Sequence, residues 1–128
     1  IAIHSTALGP AAGGCRMWQY DNEAEAIKDA LRLSRGMTYK NAMAGLPMGG
    51  GKAVILADQD HPASDDSFRA FGRCVESLGG RYVTAEDVGV SVGTMRFVKE
   101  ITDYVAGLPP AEGSAGGGGS AEPVGPFW

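Results

Sequence analysis

The run Gly45-Leu46-Pro47-Met48-Gly49-Gly50-Gly51-Lys52, followed at once by Ala53-Val54-Ile55-Leu56-Ala57, constrains this chain more than any other stretch. Three consecutive glycines have no side chains to pack. They belong where the backbone takes conformations that other residues avoid, or where something must approach it closely. The sequence predicts a glycine-rich turn that feeds a strand over Ala53–Ala57, with Lys52 held at the strand's first position. A lysine held there is an aimed amine; the blander reading is a solvated lysine on a turn. A phosphate-binding P-loop is excluded. That motif needs Gly, four residues, then Gly-Lys-Ser/Thr, between a preceding strand and a following helix. Counted from Gly45, the required Gly-Lys falls on Gly50 and Gly51, and Ala53 follows the lysine without a hydroxyl.

The chain has 128 residues, enough for one core, and its 44% hydrophobic and 20% charged content is ordinary for a globular domain. The net charge of −4 gives no electrostatic footprint for nucleic acid, so none is expected as a partner. No apolar run reaches the length of a membrane span. Cys15 and Cys74 suggest neither a disulfide framework nor a metal site, and each is expected to be a small buried hydrophobe. His4 and His61 have no partner spacing. Cysteine usage and the absence of a signal peptide point to a cytoplasmic protein.

Ile1-Ala2-Ile3 reads as a strand entered midway, so the chain is expected to lack its true N-terminal edge. Leu8 to Met17 reads as a loop of glycine and small residues, either a plain connection or a surface whose N–H groups reach an anion. Asp21-Asn22 caps a helix that continues to Ala44 and stops at Gly45, with Ala26, Ile27, Ala30, Leu31, Leu33 and Met37 at helical spacing. Lys40 lies near its C-terminal end, a position that favours cations. A second helix starts at Ser64 or Asp65, carries Phe68, Phe71, Val75 and Leu78 on one face, and stops at Gly79-Gly80. Arg81–Ala85 is the next strand, Ser91 opens a third helix, and Tyr104–Gly107 is a last short strand. Strands that alternate with helices argue an α/β domain of three layers, with a small, mostly parallel or mixed sheet flanked by helices. Ligands of such sheets bind beyond the carboxyl ends of strands, where Glu86 and Asp87 sit. The domain is expected over residues 1–107, and residues 108–128, rich in glycine and proline, have the composition of a flexible tail or linker.

Four segments together resemble one family. Ala2 to Met17, Leu33 to Ala42, Gly49 to Ile55 and Arg81 to Gly89 are similar, in order and spacing, to the substrate domain of the Glu/Leu/Phe/Val dehydrogenases. The similarity is nearest to the leucine and phenylalanine branches. It implies NAD-dependent oxidative deamination of an apolar L-amino acid to a 2-oxo acid and ammonia. By the same resemblance, Lys52 is the catalytic lysine that activates the attacking water, and Asp87 exchanges protons with the substrate nitrogen. Lys40 binds the substrate carboxylate with help from the backbone of Gly13 and Gly14, and Met37 and Ala12 lie by the substrate side chain. Alanine at 12, where the family commonly has leucine, enlarges the pocket. The resemblance also implies a homo-oligomer.

The chemistry fits these residue types. A lysine that acts as a base must shed its proton, which burial and a neighbouring cation both favour; Lys40 is the expected cation. The resemblance implies a second domain that binds NAD, and since no Gly-x-Gly-x-x-Gly here follows a strand and opens a helix, that domain is expected to lie outside this sequence. The chain is therefore expected to be truncated, with no turnover alone. The alternative is a non-catalytic oligomerisation module or a remnant of that family.

Overall fold

The computed structural model describes residues 1–108. Four strands and three helices alternate along the chain: β1 (Ala2–Ser5), β2 (Ala11–Trp18), α1 (Glu23–Met43), β3 (Gly49–Leu56), α2 (Asp65–Ser77), β4 (Tyr82–Glu86) and α3 (Val92–Lys99). The strands form one mixed sheet in the order β1-β3-β2-β4. β3 and β4 flank β2 and run parallel to it, while β1 closes the β3 edge antiparallel. Helix α1 covers one face of the sheet, and α2 with α3 covers the other. This is the expected three-layer α/β domain. The expected linker from Pro109 onward lies outside the described residues.

The helix ends follow local chemistry. The Asn22 side chain accepts from the Glu25 N–H at the start of α1, and Gly45, with φ of 71°, follows its end. A left-handed residue just past a helix is the usual place for glycine. Ser64 and Ser91 each close a capping box, with Ser67 and Thr94 respectively.

The two faces of the sheet are filled differently. On the α2/α3 side, Ala11, Cys15, Ala53, Phe68, Phe71, Val75, Tyr82, Val90, Met95 and Val98 form a continuous apolar core. On the α1 side, the helix lies down through Ala26, Ala30, Ser34, Met37 and Asn41. Small residues let it approach closely. A Cβ on Gly50 would collide with the Thr38 N–H and hydroxyl and lie 2.5 Å from the Ser34 carbonyl oxygen. Asn41 Nδ2 fastens the contact, donating to the carbonyls of Gly49 (2.7 Å) and Ala12 (3.3 Å).

Several expectations are corrected. Leu8–Met17 is not a loop: its second half is the central strand β2, and Ala11 to Cys15 are fully buried. Gly49–Gly51 is not a turn but the start of β3, which puts Lys52 at its fourth position rather than its first. The glycines there answer to crowding, from α1 above Gly50 and from the Tyr82 ring, 2.7 Å from a Cβ placed on Gly51. Ile27 and Leu31 are more than half exposed (53% and 59%), and the polar Ser34 and Asn41 take the buried stripe instead. Tyr104–Gly107 forms only an isolated parallel bridge, Thr84 with Val105. Cys15 is buried as expected, but Cys74 is exposed.

Candidate active site

Alternation along β2 and β3 places Ala12, Gly14 and Arg16, with Gly50 and Lys52, toward α1. Asp87 follows the last residue of β4. Lys52 on β3 and Asp87 beyond β4 thus stand on either side of β2, and they meet across it. The Lys52 ammonium contacts Asp87 Oδ2, and the side chains are only 4% and 10% exposed. The crossing passes Gly14. A Cβ there would lie 2.8 Å from Asp87 Cβ and 2.7 Å from the Glu86 carbonyl oxygen. Any side chain at 14 would push Asp87 away from its partner.

The electrostatics of the pair are clear in direction. Burial alone pushes the Asp87 carboxyl up. The contact from Lys52, the Val88 N–H and the charges of Lys52 and Arg16 outweigh it and hold the group below the ordinary carboxylate range. Behind β2, burial pushes the Cys15 thiol up to about 12, so it stays a neutral packing group. Burial likewise raises the Tyr82 phenol, whose Oη donates to the Gly13 carbonyl at 2.7 Å. That bond leaves the Gly13 carbonyl partnered where β2 skips its pairing with β3 between Ala12 and Cys15.

The expected substrate residues fall in two groups. Gly14 lies under the crossing of the pair, and Ala12 and Gly13 precede it on β2. Met37 Cγ lies 3.2 Å from a Cβ placed on Gly13, and Ala12 is 1% exposed. Lys40 is exposed in the last turn of α1, and its side chain makes no ion pair or hydrogen bond among the described residues. The cation beside Lys52 and Asp87 is instead Arg16, whose Nε lies 3.4 Å from Asp87 Oδ2.

Sequence reasoning assigned no role to Arg16 or to what stands behind it. Arg16 Nη1 is 3.5 Å from Asp29 Oδ2 on α1. Asp29 accepts from Tyr20 Oη at 2.5 Å and from Arg32 Nη2 at 2.8 Å. A cleft of about 540 Å³ opens beside this cluster, lined by Arg16, Trp18, Tyr20, Lys28, Asp29 and Arg32 among others. Lys52 and Asp87 are not in its lining. The missed signal was the strand itself: once Ala11–Trp18 is a strand, Arg16 shares a face with Ala12 and Gly14.

The glycines of β3 are closed over by Ser5, Thr38, Ser34 and Tyr82, so they form no backbone hollow for a pyrophosphate. Nor do three or more His, Cys, Asp or Glu residues gather as a metal site among them.

Comparison with known proteins decides the family. The profile of the Glu/Leu/Phe/Val dehydrogenase dimerisation domain matches residues 1–104. The chain belongs to the Glu/Leu/Phe/Val dehydrogenase family. Within that family, it is 60% identical over 116 residues to leucine dehydrogenase of Bacillus subtilis (strain 168), covering 91% of this chain and 32% of that one. It is 58% identical over 116 residues to valine dehydrogenase of Streptomyces albus, with the same coverages. The crystal structure of L-tryptophan dehydrogenase from Nostoc punctiforme superposes with a TM-score of 0.78 at 53% identity, over 82% of this chain and 31% of that one. The chain thus spans about a third of the length of these relatives. As a member of the family, it carries the dehydrogenases' N-terminal α/β domain.

Proposed function

We propose that residues 1–107 are the substrate-binding half of an L-amino-acid dehydrogenase that oxidatively deaminates an apolar amino acid such as leucine, valine or phenylalanine to a 2-oxo acid and ammonia. The observation that carries this reading is the buried Lys52–Asp87 pair, set across Gly14 on the face that α1 covers. A protein seldom buries an ammonium and a carboxylate for stability, since their desolvation offsets most of the attraction. Such a pair is better explained by proton chemistry.

Each residue then has a task. Lys52, in its neutral amine form, takes a proton from the water that adds to the carbon of the imino acid. Asp87, kept anionic, takes and returns protons at the substrate nitrogen. Gly13 and Gly14 bring backbone to the substrate carboxylate, with Lys40 supplying charge once its side chain turns inward. Met37 and the small Ala12 leave room for an apolar side chain. NAD, which the family reading requires, is assigned to a part of the enzyme other than the described residues. The compartment we propose for the reaction is the cytoplasm, in line with the chain's cysteine usage. No helix among the described residues is long and apolar enough to cross a membrane.

A second reading has its own observation. Ile1, Ile3, Ile27, Leu31, Val54 and Leu56 line an apolar groove of about 300 Å³ between β1 and α1, and the matched profile is that of a dimerisation domain. On this reading the chain serves assembly alone, as a homo-oligomer.

The test is NADH formation from L-leucine, L-valine and L-phenylalanine by the chain supplied with a separate nicotinamide-binding domain. The enzyme reading expects turnover, reduced about 10²–10⁴-fold by Lys52→Ala, the usual range for one acid–base group. Full turnover by Lys52→Ala would remove Lys52 from the mechanism. Silence of the wild type with every substrate would favour assembly alone.

A further inference from the structure

The Lys52–Asp87 pair poses a problem if, as proposed above, both groups act on substrate. Lys52 must turn away from Asp87 to do so. Asp87, with a side chain only 10% exposed, would then be a buried anion without its partner. A second cation is already in place. Arg16 Nε is buried without a hydrogen-bond partner, and it lies 3.4 Å, at ion-pair distance, from the same oxygen that Lys52 contacts. The other end of the guanidinium, Nη1, is 3.5 Å from Asp29 Oδ2. Asp29 does not drift, because Tyr20 and Arg32 hold its two oxygens at 2.5 and 2.8 Å. Arginine suits this place, since its planar fork reaches two carboxylates at once and it stays charged at every working pH.

We propose that Arg16 is a positioning residue for Asp87: anchored through Asp29, it holds the Asp87 carboxylate in place and anionic while Lys52 is engaged with substrate. This rests on the assignment of Lys52 and Asp87 to catalysis. The bland alternative is a staple that only fastens β2 to α1. The surroundings narrow the choice. The charged groups against Asp87 are Lys52 from β3 and Arg16 from β2, with Asp29 of α1 behind Arg16; Cys15 of β2 and Tyr82 of β4 lie on the other face of the sheet. Burial keeps Cys15 and Tyr82 neutral across the carboxylate range. Once Lys52 is engaged elsewhere, Arg16 is the group in that set left to compensate the charge.

The test follows the Asp87 carboxylate by carbon-detected NMR through a pH titration of the chain, with Asp87→Asn to assign its signal. Arg16→Gln is expected to raise the Asp87 midpoint by about one unit or more, the size of effect an adjacent cation has on a carboxylate. Arg16→Lys, which keeps the charge, is expected to recover most of that shift. A staple would lower stability in Arg16→Gln and leave the midpoint where it was, which would overturn the proposal.

A second measurement needs no substitution at 16. In the wild type, the Arg16 Nε–H resonance is expected to move with the same midpoint as Asp87, and to lose that movement in Asp87→Asn. A flat Arg16 trace would overturn the proposal whether or not Arg16→Gln folds. Failure of the catalytic reading has a different signature, since it would appear as turnover retained by Lys52→Ala while Arg16 and Asp87 still titrate together.

Discussion

The two faces of the sheet solve different problems with the same strands. Toward α2 and α3, β2 and β3 present Ala11, Cys15 and Ala53 to Phe68, Phe71, Val75 and Val98, and every partner is apolar. Toward α1 they present Ala12, Gly14, Arg16, Gly50 and Lys52, and the helix answers with Asp29, Ser34 and Asn41. The first face excludes water and stabilises the domain. The second is polar and charged around Lys52 and Asp87, and there it gives up apolar burial to bring an amine and a carboxylate together. Stability and chemistry are thus divided by the plane of the sheet, and alternation along each strand does the dividing.

The comparison predicts unequal costs. Phe68, 3% exposed, is one of the large side chains that fill the apolar face. Phe68→Ala is expected to cost about 3–5 kcal/mol in denaturant unfolding, the range for a buried phenylalanine. A cost under 1 kcal/mol would mean that this face does not carry the stability. Next comes Gly50→Ala, where the new methyl would strike α1 at Thr38 and Ser34. It is expected to cost the upper part of the about 1–3 kcal/mol typical of overpacking. A neutral result would show that α1 sits farther from β3 than described.

The smallest effect comes from pH and belongs to the charged face. Asp87 is held below the ordinary carboxylate range in the folded chain, and so is Asp29, where burial's upward push is outweighed by Tyr20, Arg32 and Arg16. As pH falls, the unfolded chain therefore binds protons first. The stability from these groups is complete above the ordinary carboxylate value of about 3.9 and disappears as pH drops through their lower folded values. Each unit of displacement corresponds to about 1.4 kcal/mol. Asp87→Asn should flatten the acid limb of a stability–pH curve. An unchanged limb would mean that Asp87 gains nothing from its two cations.

The α2/α3 face was largely legible in the sequence, because Phe68, Phe71 and Val75 recur at helical spacing and Tyr82-Val83 opens an apolar run. The α1 face was legible in its residues but not in its shape. Gly13-Gly14 and Gly49-Gly50-Gly51 look like turns because glycine usually marks turns. Here crowding selects it: Thr38 and Ser34 press on Gly50, Tyr82 on Gly51 and Asp87 on Gly14. Close approach between segments distant in sequence leaves no local signature. For the same reason Ile27 and Leu31 looked like core, while the side that faces the glycines needed small and polar residues. Lys52 and Asp87 stand out only through the family resemblance, and nothing local in the chain marks Arg16 as the link between Asp87 and Asp29.

The central claim is that this charged face receives an amino acid. The most direct measurement is a heteronuclear NMR titration of the chain with L-leucine, with D-leucine as control. Saturable shifts are expected at Gly13, Gly14, Lys52 and Asp87 with the L-enantiomer alone, lost in Lys52→Ala and Asp87→Asn. No response at these residues, or an equal response to both enantiomers, would contradict it.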